Sequence, residues 1–339
     1  MRFFKSDMSE IDKLANLAQT TYHSGDIIDV NYLKWEYTAN PAGNAIAFLA
    51  GDEQMIVSQY VVLPREIICE NEKVKSSLSL NTITHPDHRG KGYFIKLAEM
   101  TFSECKELGI GLTLGFPNKH SVKGFINKLK FTKIGNLPLM LKVVNPLKAV
   151  TSVLRRRKNI NEQEIYFDFK LPGVSKLDLN KDLEKYRQFW SEFKKRNLIT
   201  TDRSPEFLQW RYINIPIRKY HLYKIESDDK IETVLIFRIK NIFGVRCGII
   251  VDLLSLNKTQ VFNQLIREIQ KNGPDIFIST VPENSPEWLC LKSSGFFKVP
   301  EFLMLKKLDM IIRFHSKNIS DSYTDIRKWF ITFGDYDIF

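Results

Sequence analysis

The chain of 339 residues is short of several things, and each shortage narrows what it can be. It has four cysteines, Cys69, Cys105, Cys247 and Cys290, far apart and with no CxxC pair. That pattern argues against a zinc site and against a disulfide framework, so no metal is expected and the thiols are read as reduced. Only 16 glycines and 13 prolines are present, too few for a collagenous or low-complexity chain. No apolar run approaches the ~20 residues of a membrane-spanning helix, and mean hydropathy is −0.23. The first residues reach Lys5 and Asp7 at once, without the apolar core of a secretory signal. The expectation is a cytoplasmic protein with no integral membrane segment. The phosphate-binding patterns GxxxxGK[ST] and GxGxxG are absent as well.

What is present is an ordinary globular composition, 43% hydrophobic, and a length suited to two domains. The formal net charge is +11 and the pI about 9.3. Nucleic acid, an anionic membrane surface or an anionic small molecule would each account for such an excess.

A repeat organises the chain. The segment 32–37, with Trp35 and Tyr37, lines up with 207–212, with Trp210 and Tyr212, at a separation of 175 residues. Phe131-Thr132-Lys133-Ile134 resembles Phe296-Phe297-Lys298-Val299, and Leu139-Met140-Leu141-Lys142 recurs as Leu303-Met304-Leu305-Lys306, at separations of 165 and 164. Three matches in one order indicate duplication. The shrinking separation means that the second copy has lost material in its middle.

Periodicity then gives an α/β order in each copy. In the first, a short strand at 2–4 precedes a helix over 9–21 and a second helix around Trp35. A hairpin pairs 45–50 with 54–63, and a strand covers 74–84. A helix over 91–108, a strand over 111–115, a helix over 119–129 and strands near 131–134 and 139–144 complete the copy. The division expected is 1–146, a basic linker over 147–163 containing Arg155-Arg156-Arg157-Lys158, a second copy over 164–308 and a tail over 309–339.

The segment bearing chemistry is Asn81-Thr82-Ile83-Thr84-His85-Pro86-Asp87-His88-Arg89-Gly90-Lys91-Gly92-Tyr93-Phe94. A strand ends, a proline turn follows, and a glycine- and cation-rich loop opens a helix. Exposed N–H groups and the helix dipole favour an anion there, and glycines let a phosphate approach the backbone. In the second copy the equivalent stretch, Ser255-Leu256-Asn257-Lys258-Thr259, holds no glycine.

Arg89-Gly90-Lys91-Gly92-Tyr93-Phe94 resembles the acyl-CoA loop of the GNAT acetyltransferase superfamily, [Arg/Gln]-x-x-Gly-x-[Gly/Ala], departing from it at Phe94. Asn118, after the strand at 111–115, and Leu129-Lys130-Phe131 also resemble the family. The resemblance implies two tandem GNAT-like domains, each a central mixed twisted sheet flanked by helices, the second degenerate. It implies acetyl transfer from acetyl-CoA to a small-molecule amine acceptor, with no nucleic acid involved. By carry-over, the backbone of Ile83 and Thr84 bonds the pantetheine, the N–H groups of Arg89, Gly90, Lys91, Gly92, Tyr93 and Phe94 hold the pyrophosphate, and Asn118 bonds the pantetheine from the other side. Where many members carry a tyrosine as the acid for the thiolate, this chain has Ile126, beside Phe125.

The tail stays aromatic and apolar to its end. Resemblance to GNAT enzymes with a functional terminal carboxylate makes Asp335, Asp337 and the carboxylate of Phe339 candidate catalytic groups. The alternative is that the tail simply packs on the second copy. Asp29 and Asn40, with no counterpart in that copy, are candidates for contact with the acceptor, whereas the recurrence of Trp35 as Trp210 favours a core role. Similarity to GNAT proteins of surface-polysaccharide synthesis points to an amino sugar or sugar nucleotide as acceptor. The rival readings are a FemAB-like aminoacyltransferase and a non-catalytic CoA-binding or scaffold protein.

Overall fold

A computed structural model describes residues 1–22, 25–52, 54–70, 72–147, 169–196, 198–242, 244–271, 273–304, 307–316 and 321–336. The linker, with Arg155–Lys158, lies almost wholly outside them. In chain order the strands are β1 (Arg2–Lys5), β2 (Ile46–Gly51), β3 (Ile56–Cys69), β4 (Glu72–Thr84), β5 (Leu112–Gly115), β6 (Thr132–Asn136), β7 (Met140–Val143), β8 (Val174–Lys176), β9 (Ile199–Thr201), β10 (His221–Ser227), β11 (Lys230–Ile242), β12 (Val245–Ser255), β13 (Ile276–Ser279), β14 (Phe297–Lys298) and β15 (Asp309–Phe314). The helices are α1 (Ile11–Gln19), α2 (Val30–Thr38), α3 (Tyr93–Glu107), α4 (Val122–Leu129), α5 (Leu183–Lys194), the single turn α6 (Pro205–Leu208), α7 (Gln260–Lys271) and α8 (Pro286–Ser293).

The chain divides into two compact units, each with its own mixed sheet and neither contiguous in sequence. The first comprises Met1–Asn136, Ile199–Arg218 and Leu308–Lys328. Its sheet runs β1-β2-β3-β4-β5-β15-β6, with β9 paired to the far end of β3. β4 and β5 are parallel and the other neighbours antiparallel. Leu97, Ala98, Phe102 and Cys105 of α3 pack with Phe48, Tyr60 and Val62 of the sheet and with Phe125, Leu129 and Phe131. The second unit comprises Leu137–Leu198, Lys219–Lys307 and Trp329–Phe339. Its sheet runs β14-β7-β13-β12-β11-β10-β8, with a core that joins Phe262, Leu265, Ile266 and Ile269 of α7 to Phe237, Leu253 and Phe277.

This corrects the strand assignment at the end of each copy. The strand expected at 139–144 forms, but it lies in the second unit's sheet, between β13 and β14. The corresponding slot of the first sheet, between β5 and β6, is filled by β15, from the stretch expected to be tail. Leu137-Pro138-Leu139 carries the reason. Proline holds its own φ and keeps the preceding residue extended, and Gly135-Asn136, the pair that could turn a tight hairpin, are the last residues of β6 and both pair with β15. The third repeat match is corrected too: Leu303 ends a 3₁₀ turn, Glu301–Leu303, and the topological equivalent of β7 is β15.

The two repeated tryptophans meet each other. In the first unit the Trp35 and Trp210 rings stack with centroids 4.8 Å apart. Trp35 Nε1 donates to the Trp210 carbonyl at 2.9 Å, and Trp210 Nε1 to the Trp35 carbonyl at 3.3 Å. Each buried indole N–H thus finds an acceptor, in keeping with a core role. Part of the positive charge is buried in the same unit: Arg65 lies over the Phe207 and Trp210 rings, Arg203 over Phe207, and Arg218 over Tyr32 while paired with Asp26.

Burial sets a pH limit on this fold. His221 and His315 are each pushed down from 6.5 to about 4, chiefly by desolvation and secondarily by Lys176 and Arg313 respectively. The unfolded chain protonates both near their ordinary value while the folded chain waits until about pH 4. Between those limits the unfolded state binds more protons, so stability falls with falling pH. Melting temperature is expected to decline from about pH 6.5 to 4, and the decline to be shallower in a His315→Gln variant that keeps a polar partner for Thr113.

Candidate functional site

β4 is the element around which the site forms. Its parallel pairing with β5 covers Ser76↔Leu112 through Ser79↔Gly115 and then stops. Leu80 to Thr84 continue along β3 on one side only, and among the described residues no strand lies against the other edge of β4 there. Just past the divergence β4 carries a β-bulge. Gln59 faces Ile83 and Val61 faces Leu80, leaving Asn81 and Thr82 opposite one residue of β3. Asn81 is left-handed, with φ +48°. Its carbonyl accepts from Gln59 Nε2 at 2.7 Å, and its Nδ2 donates to Glu36 Oε2 at 2.7 Å and Tyr37 OH at 3.1 Å. Two buried atoms beside it, Gln59 Oε1 and Thr82 Oγ1, have no hydrogen-bond partner among the described residues. Buried polar atoms of this kind call for an explanation such as a ligand or a water.

The strand leads into the phosphate-type loop as expected. Ile83 is buried and its carbonyl accepts from Ser58 Oγ at 3.1 Å, while Arg89 Nε reaches the Thr84 carbonyl at 3.4 Å. Pro86–His88 form one 3₁₀ turn. Gly90 and Gly92 follow with φ +78° and +79°, and a Cβ at either would meet nothing within 4 Å. Gly92 is the N-cap of α3 and no side chain caps that end, so the first N–H groups of a 15-residue helix stand open. Arg89 and Lys91 are exposed beside them. Tyr93 opens α3 with its ring against Phe3 and His88. Phe94, the departure from the expected small residue, fills the space over Gly124, where a Cβ would stand 3.6 Å from its ring.

Asn118 follows β5. Its Oδ1 accepts from the backbone of His120 and Ser121, which leaves its Nδ2 donors for a ligand. Phe125 is buried against Phe94 and Phe131 and Ile126 is half-buried, so the usual acid position holds no proton donor. Cys105, in the core below, is pushed up to about 12 by burial and is no nucleophile. Among the described residues no cluster of His, Cys, Asp and Glu could hold a metal ion.

Other expected residues have local duties. Asp29 is the N-cap of α2, accepting from Tyr32 N at 3.0 Å. Asn40 Nδ2 donates to the Gly43 and Pro64 carbonyls at 3.0 and 2.8 Å. Asp335 belongs to the second unit, where it is buried and accepts from Thr332 N at 2.8 Å. Asp337 and Phe339 lie outside the described residues. Glu36 and Gln59 escaped the sequence reading, and Asn81 entered it only as the first residue of the loop segment, with no role of its own. The available signal was that Glu36 stands where the repeat has Arg211.

The second unit repeats the divergence and closes it. β12 pairs with β13 only over Cys247–Ile249 and bulges by one residue at the same place, before Asp252. Asp252 is fully buried and accepts from Thr332 Oγ1, just before the turn Phe333–Asp335 that packs on β12. At the end of the strand, where the first unit opens its loop, the buried Glu287 accepts from Ser255 N at 2.8 Å and pairs with Arg196. An internal carboxylate thus takes the place of an external anion.

Residues 5–126 match the family model described as an acetyltransferase (GNAT) domain. No curated protein matches the sequence. Among solved structures, the chain is similar to a GCN5-related N-acetyltransferase from Anabaena variabilis, at 17% identity and TM-score 0.62, over 93% of this chain and 73% of that one. It is also similar to Saccharomyces cerevisiae N-myristoyltransferase with bound myristoyl-CoA, at 13% identity and TM-score 0.62, over 92% and 82%. A conserved protein of unknown function from Enterococcus faecalis V583, described as a probable N-acyltransferase, aligns at 12% identity and TM-score 0.63, over 92% and 72%.

Two outcomes follow. Gly92→Asp puts a carboxylate at the open helix end and is expected to abolish CoA binding by calorimetry. The fold, checked by circular dichroism, should survive at a backbone cost of about 1–2 kcal/mol. Wild-type protein is expected to bind one acyl-CoA per chain, because only the first unit keeps the edge of β4 open.

Proposed function

We propose that the chain, of which residues 5–126 match the acetyltransferase (GNAT) domain model, is an acyltransferase that moves an acetyl group from acetyl-CoA to the amine of a small molecule, an amino sugar or sugar nucleotide of surface-polysaccharide synthesis. The observation that carries this reading is the unpaired edge of β4 leading directly into the open N-terminus of α3. One ligand would satisfy both, with its pantetheine amides along Ile83 and Thr84 and opposite Asn118, and its pyrophosphate at Arg89 to Phe94. The chemistry follows from that placement. The neutral amine nitrogen attacks the thioester carbonyl, the C–S bond breaks, an amide forms, the surplus N–H proton passes to solvent and CoA leaves as the thiolate. Backbone N–H groups of β4 facing the carbonyl oxygen would stabilise the negative charge that builds there. With Ile126 in the acid position, the thiolate leaves without a tyrosine proton, or takes one from solvent.

The test is release of free CoA thiol from acetyl-CoA across amines that include amino sugars, nucleotide-linked amino sugars, polyamines and amino acids. Turnover is expected with a sugar-borne amine and is expected to vanish in Gly92→Asp. Acetyl-CoA binding with no turnover on any amine would favour a scaffold. Binding of tRNA but not CoA would favour aminoacyl transfer and sink this reading.

A further inference from the structure

The bulge in β4 is held at unusual cost. A left-handed non-glycine residue is disfavoured even when it is asparagine, and strained residues persist where their surroundings over-determine them. Asn81 is fixed on three sides by Gln59, Glu36 and Tyr37. Glu36 is itself only 3% exposed and takes a second hydrogen bond from Tyr32 OH at 3.1 Å. A buried carboxylate is costly to maintain, and here two of its bonds serve the strained residue and the helix that faces it. The place matters too. Asn81 lies two residues beyond the last β4–β5 pair and two before Ile83. A bulge there re-aims the backbone that follows it. The copy with the phosphate-type loop alone carries the pair: the repeat has Arg211 in place of Glu36 and Val251 as the extra residue of its own bulge.

We propose that Glu36 is a positioning residue for acyl transfer, holding the Asn81 bulge so that the β4 backbone beyond it presents its N–H groups to the thioester carbonyl. Glu36 touches neither donor nor acceptor; it acts through Asn81. The proposal rests on the reading of the β4 edge as the acyl-CoA site.

The test needs no acceptor. Acetyl-CoA labelled with ¹³C at the thioester carbonyl is bound to the intact protein, and the carbonyl stretch is followed by difference infrared spectroscopy. Binding to wild type is expected to move the stretch to lower frequency. Asn81→Gly, which keeps the left-handed backbone accessible while removing the side-chain clamp, and Glu36→Ala are expected to lose at least half of that shift. Their acetyl-CoA affinity should stay within about threefold of wild type. Glu36→Gln, which retains one acceptor oxygen for Asn81, should recover part of the shift. An unchanged stretch in Asn81→Gly with acetyl-CoA bound would overturn the proposal, as would loss of affinity and melting temperature with the stretch intact. Failure of wild type to bind acetyl-CoA, or undiminished binding by Gly92→Asp, would instead overturn the site reading and this proposal with it.

Discussion

The parallel pairing of β4 with β5 lasts four residues, and the rest of the first unit's functional geometry depends on where it stops. A strand edge without a neighbour presents backbone donors and acceptors that need partners. Two arrangements meet that need in one chain. The first unit leaves the edge beside an uncapped helix end flanked by Arg89, Lys91 and two left-handed glycines. The second sets Thr332 and the turn Phe333–Asp335 against β12 and satisfies the strand end with Glu287. One divergence of two parallel strands thus leaves an open edge beside an uncapped helix start in one unit and an internal carboxylate contact in the other.

Much of this was legible in the sequence because it rests on local chemistry. The phosphate-type loop needs glycines at φ near +78° and a helix start, and both are written in consecutive residues. The repeat was legible through Trp35 and Trp210, whose reciprocal stack requires the same residue type twice. The exchange of β7 and β15 was not, because a β ladder is made of backbone groups and accepts any strand of suitable pattern in a slot. Only Pro138, which keeps Leu137 extended, bears on the path of the chain between β6 and β7. The roles of Glu36 and Asn81 were hidden for a different reason. A single glutamate on a helix and a single asparagine in a strand carry no motif, and 45 residues separate them.

The net charge shows how composition misleads when its location is unknown. Taken over the whole chain, +11 suggested an anionic partner. In the first unit, Arg65, Arg203 and Arg218 instead stand over aromatic rings at 5.1–5.5 Å, buried among Phe207, Trp210 and Tyr32. A guanidinium in such a place contributes cation–π attraction and packing and is not offered to a ligand. Arg89 and Lys91, by contrast, are exposed beside the uncapped start of α3, the kind of place where an anion would gain from dipole, N–H groups and charge together.

Why a copy without a phosphate loop persists follows from the make-up of the units. The first unit's sheet is interrupted without β15: β5 would lose its partner along 112–115 and β6 its partner along 132–136. Ile311 and Ile312 of β15 are fully buried, and Ile311 belongs to the same core as Phe102 and Phe131. The same unit draws Trp210 and Arg218 from Ile199–Arg218, where they complete the Trp35 stack and pair with Asp26. Residues 1–136 alone therefore lack one strand of their own sheet and half of their tryptophan pair. Loss of the glycine loop from the second half removes one binding function, whereas loss of that half would open the first unit's core. Selection for a folded first unit is enough to retain the degenerate copy, whatever else that copy does.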